Sequence, residues 1–364
     1  MQPAPSLFDP LPDEADNTPP DSTPPKSPRA KRQAAAVEPA PAEQTLLDLS
    51  AAMPQLLHMG TSSWSFPGWK GLVWAGDHAE AALSKQGLGA YARHPMFRTV
   101  SLDRAFYRPL SASQYATYAA QVPEHFRFVV KAPSLVTDAT VRAADGRGMQ
   151  PNAAFLDPSL AISEFVQPAL EGLGPRIGSL VFQLSPLPRA WLARMPELFQ
   201  KLETMLAAMP SLPTGATVAV EVRDAQLLVP EFAALLKRVG ATYCLGLHAK
   251  MPPIEAQLPM LRALWPGPLV CRWNLHQKHG AYGYEEAKGL YEPFDRLVDP
   301  DPESRDVLAR VIVATVAAGF HSYVTINNKA EGSAPLSVQE LANAVLARLG
   351  SAASAPSAEP KPKT

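Results

Sequence analysis

Cysteine is nearly absent from this chain of 364 residues. Its two cysteines, Cys244 and Cys271, are too few for a disulfide framework or for a zinc site built from thiolates alone. No run of about 18 consecutive apolar residues occurs, which excludes a membrane-spanning helix from the expected elements. Charge of neither sign dominates: 33 Lys and Arg stand against 34 Asp and Glu, a net charge of −1. No global field therefore draws the chain to nucleic acid or to an anionic membrane. Residues 1–12 are proline-rich and acidic, unlike a basic-then-apolar secretory signal. These absences together lead to the expectation of a soluble, cytoplasmic protein.

Proline, by contrast, is abundant at 39 residues, and its placement divides the chain. Eleven prolines fall within the first 41 residues, and no large apolar side chain lies between Leu11 and Val37. Such a segment cannot bury enough surface to offset its ordering entropy. The expected organisation is a disordered proline-rich tail over residues 1–50, one folded domain over 51–350, and a second disordered tail over 351–364. The basic cluster Lys26, Arg29, Lys31 and Arg32 in the first tail is read as a solvated stretch rather than a nucleic-acid contact. Ser6-Leu7-Phe8-Asp9 is an apolar docking element in the same tail. It is similar to the Leu-Phe peptides that bind the replication sliding clamp, without the glutamine that begins that motif.

Between the tails, strand-like and helix-like patterns alternate. Short segments rich in Val, Leu, Phe and Tyr lie at 56–61, 98–103, 126–131, 178–184, 217–223, 242–248, 269–274 and 322–327, each bounded by turn-forming residues. Helical patterns occupy 111–122, 158–170, 191–208, 230–239, 303–318 and 337–349. Eight strands alternating with helices predict an α/β fold of the (β/α)8 TIM-barrel type. A doubly wound sheet fits less well, because the glycine-rich phosphate turn is missing after the first strand.

Strand alternation then places the polar residues. In the fifth strand Val218, Val220 and Val222 share one face, while Ala219, Glu221 and Arg223 share the other. The valines belong against helices, which leaves Glu221 and Arg223 inside, near the strand's C-terminal end. The same parity turns Lys131, Gln183, Arg272, Asn274 and Asn327 inward and brings Asp103 and His248 to the same rim. Barrel enzymes carry their chemistry at that end. Burying so many polar groups costs several kcal/mol unless they pair or bind something. Two long loops at the same end, 133–156 and 275–302, are expected to be functional. The second carries His276, His279, Tyr282, Tyr284 and Tyr291, a set suited to a lid over a ring or sugar.

Several segments resemble one known family. Gly60-Thr61-Ser62-Ser63-Trp64-Ser65-Phe66-Pro67-Gly68-Trp69 is similar to the opening signature of the YecE-like family, also called domain of unknown function 72. Ala105-Phe106-Tyr107-Arg108, Phe126 through Pro133, Phe182-Gln183-Leu184, Val220-Glu221-Val222-Arg223 and Tyr323 through Asn327-Asn328 to Ala334-Pro335 complete the resemblance. It implies a TIM barrel and brings no established activity. One departure matters: the family's Glu-Val-Asn-Ser-Thr after the second strand reads Ser101-Leu102-Asp103-Arg104-Ala105 here. The family's glutamate position is Ser101 and its asparagine position is Asp103, so the resemblance implies that any role of that glutamate has either moved to Asp103 or been lost in this chain.

Three chemistries compete at this rim. Lys131, Arg223 and Arg272 offer donors for a phosphate or carboxylate, and Gly332-Ser333 precedes a helix start of the kind that holds phosphate on backbone N–H groups. In the favoured reading an enzyme, hydrolase-like, acts on an anionic, phosphate- or nucleotide-like small molecule. Glu221, Asp103 and Lys131 are its catalytic candidates, and Trp64, Tyr107, Gln183, Arg223, His248, Arg272, Asn274, Asn327 and Asn328 bind the substrate. A two-carboxylate hydrolysis needs Glu221 and Asp103 about 5–9 Å apart. A metal held by Glu221, His248, Asp103 and His276 is disfavoured by three neighbouring cations, and no metal or cofactor is expected. A Schiff base on Lys131 is a third route. The alternative is a non-catalytic ligand-binding module recruited through its N-terminal tail.

Overall fold

The computed structural model describes residues 36–143, 148–280 and 283–353. The docking element at 6–9, the basic cluster at 26–32 and Tyr282 lie outside the described residues.

The eight expected segments become eight parallel strands: β1 Leu57–Thr61, β2 Thr99–Leu102, β3 Arg127–Lys131, β4 Ile177–Gln183, β5 Thr217–Glu221, β6 Thr242–Leu247, β7 Leu269–Trp273 and β8 Ser322–Ile326. Each pairs with its neighbours in sequence, and β8 closes on β1 through Leu57 opposite Ser322 and Thr61 opposite Ile326. The result is a closed (β/α)8 barrel. The period of two decides what lies where. Val129, Val181, Ala219, Cys244, Val270 and Tyr323 form a separate cluster in the barrel interior. Phe128, Leu180, Phe182, Val220, Cys271 and Trp273 belong instead to the larger core between strands and helices.

Gly60 shows why β1 and β2 can approach so closely. A Cβ there would sit 1.8 Å from the Thr99 carbonyl oxygen. The Tyr91 hydroxyl bridges the same two strands, accepting from the Thr61 N–H at 2.9 Å and donating to the Thr99 carbonyl at 3.1 Å.

Helices start where their sequences supply caps. Ser111 accepts from the Gln114 N–H, and Gln114 answers with its own side chain, a capping box that opens the helix Ala112–Ala119. Asp157 caps the Pro158 start, accepting from Leu160 N–H at 2.8 Å. Asp301 does the same for Pro302–Ala317 through Ser304 at 3.0 Å.

The boundaries differ from expectation at several places. The folded unit begins before residue 51: Val37 is buried, Ala40 N–H donates to the Val73 carbonyl, and residues Gln44–Ala51 form a helix. The last helix runs Ala334–Ala353, passing through Gly350 instead of ending before it. A helix at Ile254–Ala263 carries Pro259 inside it, where proline discourages a helical reading. Neither long loop is structureless. The first contains a helical turn, Ser134–Thr137, and a small antiparallel hairpin of Thr140–Arg142 with Met149–Pro151. The second contains Gln277–His279 as a tight turn and the helix Tyr284–Tyr291. Among the described residues no helix is long and apolar enough to cross a membrane.

Candidate functional site

The C-terminal ends of the strands bring together most of the expected rim. Glu221 ends β5, fully buried, and both its oxygens are engaged: Oε1 meets Arg223 Nη2 at 2.5 Å, and Oε2 meets Arg272 Nη1 at 2.6 Å. Arg272, in β7, is itself buried and turns its other nitrogen, Nη2, to Asp103 at 2.7 Å. One guanidinium therefore lies between the two carboxylates, each taking a different nitrogen, a charge-assisted arrangement that fixes all three groups. Gln183, ending β4, accepts from Arg223 at 3.1 Å and from Arg272 at 3.3 Å through the same oxygen. Asn274 donates to Glu221 Oε1 at 3.5 Å and to the Arg272 carbonyl at 3.3 Å. Gly246 faces this carboxylate: a Cβ there would reach Glu221 Cγ at 3.5 Å.

The family departure finds its place in this network. Ser101 Oγ donates to Asp103 Oδ1 at 2.6 Å, so the residue at the family's glutamate position orients the carboxylate that pairs with Arg272. The negative charge stays on the rim, two residues along the chain.

Electrostatics separate the groups by role. Burial alone would raise the Glu221 carboxyl, but the flanking Arg223 and Arg272 overcome it and hold the group below its ordinary value. Glu221 is thereby held as an anion between the two arginines. Lys131 behaves oppositely. Desolvation lowers it to about 8, with Asp103 resisting and Arg272 adding to the fall. Its Nζ has no hydrogen-bond acceptor among the described residues and lies 3.4 Å above the Phe106 ring. His248 is lowered to about 4 by burial and by Arg223, so it is neutral at pH 7, and its Nδ1 accepts from the Lys250 N–H at 3.0 Å. Among the described residues no group of three or more His, Cys, Asp or Glu is placed to hold a metal ion.

Other expected site residues turn out to build the barrel end. Trp64 is buried, donates from Nε1 to the Leu83 carbonyl at 3.2 Å and meets Tyr118 edge-on, so its ring is packed into the barrel end. Asn328 is likewise buried, its Oδ1 accepting from Trp69 Nε1 at 3.2 Å and from the Ala334 N–H at 2.9 Å. That bond also occupies the start of the last helix, where Gly332-Ser333 suggested a phosphate cradle; Ser333 is buried and Glu331 is a buried carboxylate beside it. Asn327 spends its oxygen on the Lys329 N–H at 3.0 Å and points Nδ2 towards the Tyr284 hydroxyl at 3.5 Å. Of the lid aromatics, Tyr291 is buried and donates to Asp299 at 2.6 Å, with the half-buried His279 placing Nε2 on its oxygen at 2.6 Å. Tyr284 and Tyr107 remain exposed. Cys244 lies in the barrel interior, where burial raises its thiol far above the ordinary value and leaves it inert.

Two contacts were not anticipated. Phe106, quoted only as part of a motif, is the surface on which Lys131 rests. Lys329 is a second buried lysine, lowered by desolvation to about 8, with Nζ 3.9 Å above the Tyr284 ring. It follows Asn327-Asn328 in a turn, where no periodicity reports which way a side chain faces.

The fold and this rim define the chain's class: an α/β-barrel protein with an ion-paired polar cluster at the C-terminal mouth. The family model described as "Protein of unknown function DUF72" matches residues 58–363. The chain belongs to this family, the YecE-like one. A crystal structure of a DUF72 family protein from Enterococcus faecalis V583 is similar at 15% identity, with a TM-score of 0.51, covering 79% of this chain and 95% of that one. Another, from Thermotoga maritima MSB8, is similar at 20% identity, with a TM-score of 0.50, covering 79% and 98%. At these identities the likeness concerns the fold. No curated protein matches the chain.

Proposed function

We propose that the barrel mouth is the reaction site for a small anionic molecule bearing a phosphate or carboxylate group, and that Lys131 is the residue that contacts it. The observation that carries this reading is Lys131, a residue only 9% exposed, whose Nζ rests on the Phe106 ring at 3.4 Å and has no acceptor among the described residues. Around it, Arg223 and Arg272 are ion-paired with Glu221 and Asp103, while Lys131 feels the charges of Asp103, Glu221 and Asp138 without an ion pair to any of them among the described residues. Arg223 Nη1 and Arg272 Nε are also buried donors with no acceptor. Burying unpaired charge and unpaired donors is costly, and an incoming anion relieves that cost.

In this reading Glu221, Arg272, Asp103 and Gln183 are positioning residues that hold the field, while Lys131 touches the anion. With its amine lowered to about 8, Lys131 can give or take a proton near neutral pH, which fits hydrolysis or proton transfer on the bound molecule. One observation favours a second reading, a binding module without turnover: both Glu221 oxygens are already engaged, so the carboxylate best placed for base chemistry is committed to arginines.

The test is thermal unfolding in increasing inorganic phosphate, acetate and neutral salt of equal ionic strength, with wild-type chain and K131M. Specific stabilisation by phosphate or acetate that K131M lacks is expected, since a ligand that binds only the folded state raises its stability. Equal shifts in both proteins, or none in either, would overturn the reading. Mass spectrometry of ligand retained through purification then separates the two forms: consumption on incubation marks an enzyme, return unchanged marks a binder.

A further inference from the structure

Beside the Lys131 site lies a cavity of about 450 Å³ that the rim residues do not account for. Its walls come from the short helix after β2 and from the hairpin and turn after β3; Phe106, Tyr107, Leu135, Val141 and Met149 line it together with the charged Asp138 and Arg142. That volume falls within the range of small-molecule pockets, roughly 300–1,000 Å³. The walls are mainly apolar and aromatic, and Tyr107 and Met149 are large side chains left exposed there, at 59% and 63%. Exposed apolar side chains gathered in a concavity mark a place where something binds.

Phe106 joins this cavity to the rim. The same half-buried ring that lines the cavity carries Lys131 Nζ at 3.4 Å. Pro133, another wall residue, follows Lys131 by two positions, so β3 runs directly from the lysine into the cavity wall. Asp138, also in the wall, feels the charge of Lys131. Lys131 is not itself part of the wall; it rests on the Phe106 ring that the wall includes.

We infer that the ligand is an amphiphile of one particular kind: a flat apolar or aromatic body seated against Phe106, Tyr107 and Val141, with a single phosphate or carboxylate directed at Lys131. This deepens the proposed function and rests on it, because the anionic end uses the same lysine. The cavity adds selectivity for the body of the molecule, which the charged rim alone cannot supply. Aromatic contact with Tyr107 and Phe106 suits a planar group, since aromatic pairs gain from stacked or edge-on geometry beyond the area they bury.

The experiment is isothermal titration calorimetry of the full chain with inorganic phosphate, phenyl phosphate, phenylacetate and benzyl alcohol, repeated with K131M and V141D. Phenyl phosphate or phenylacetate is expected to bind at least tenfold more tightly than inorganic phosphate, and the two identify which anion is preferred. K131M should abolish this binding. V141D, which sets a carboxylate in the apolar wall, should bring the preference for the aryl compound over inorganic phosphate close to one. If V141D does not fold, Y107A at the exposed edge replaces it, with the same loss of preference expected. Lysine-dependent binding of inorganic phosphate with no gain from the phenyl group refutes this inference and leaves the proposed function standing. Absence of any lysine-dependent anion binding refutes the proposed function and this inference with it. Benzyl alcohol binding as tightly as phenyl phosphate refutes the shared site.

Discussion

Replacing Glu221 with glutamine probes the network at its most buried point. The side chain is fully buried, and its two oxygens meet Arg223 at 2.5 Å and Arg272 at 2.6 Å. E221Q keeps the shape but removes the charge, leaving two nearly buried guanidinium groups with Asp103 as their remaining carboxylate. Breaking a buried pair by removing one partner costs about 3–5 kcal/mol. In a chain of this size each kcal/mol moves the melting temperature by about 2 °C, so a fall of roughly 6–10 °C follows. The pH dependence has a definite sign. Glu221 sits below its ordinary value of 4.5 in the folded protein, so its contribution is full above that value and is lost as pH falls through the folded value. The gap between wild type and E221Q should therefore be constant near neutrality and close in acid below about 4.5. The double variant E221Q/R272M should lose less than the sum of the single variants, because the residues share one network. Melting curves by circular dichroism from pH 3 to 8 measure all of this. A fall under 2 °C at pH 7, or a gap that widens in acid, would refute the claim that Glu221 is an ion-paired anion.

Other consequences follow from the same geometry. Lys131 is lowered from 10.5 to about 8 by burial, a cost of about 3 kcal/mol at neutral pH at 1.36 kcal/mol per unit. K131M should therefore melt higher than wild type at pH 7. Because the unfolded chain holds the lysine proton more tightly, wild type should gain stability between pH 8 and 10.5 and close the difference, measurable by urea unfolding across that range. A K131M protein that is less stable at pH 7 would contradict the unpaired lysine. G60A places a Cβ 1.8 Å from the Thr99 carbonyl, and soluble folded yield should collapse; normal yield with unchanged melting would contradict the close approach of β1 and β2. Asp103→Ala removes one of the two carboxylates on Arg272, and should lower stability by less than E221Q because Asp103 is partly exposed.

Much of the barrel was legible because strands report themselves with a period of two. In β5 the valines and the Ala219–Glu221 pair separate by parity alone, and the interior cluster is the one that parity selects. The convergence of Asp103, Gln183, Glu221, Arg223, Arg272 and Asn274 was legible for the same reason, since C-terminal strand ends of a closed barrel meet in one ring. What parity could not give was the direction of side chains beyond the strands. Trp64 and Asn328 stand in signature motifs after β1 and β8, where the motif is consistent with either a ligand contact or a plug; their burial and their hydrogen bonds to Leu83, Trp69 and Ala334 depend on segments distant in sequence. The helix Ile254–Ala263 was hidden by Pro259, and Tyr284–Tyr291 by its charged, weakly patterned sequence. Lys329 was hidden because its burial depends on the Tyr284 and Phe294 rings, which arrive from a distant segment.

Lys131 is the centre of the proposed anion site, and nuclear magnetic resonance can watch its amine directly. With lysines reductively methylated using carbon-13, the Lys131 signal, assigned by its loss in K131M, should titrate near pH 8 in the free protein. Saturating phenyl phosphate should move that midpoint upwards by a unit or more, because a bound anion stabilises the charged form. A Lys131 signal that titrates near the ordinary 10.5 and ignores the added anion would contradict the account.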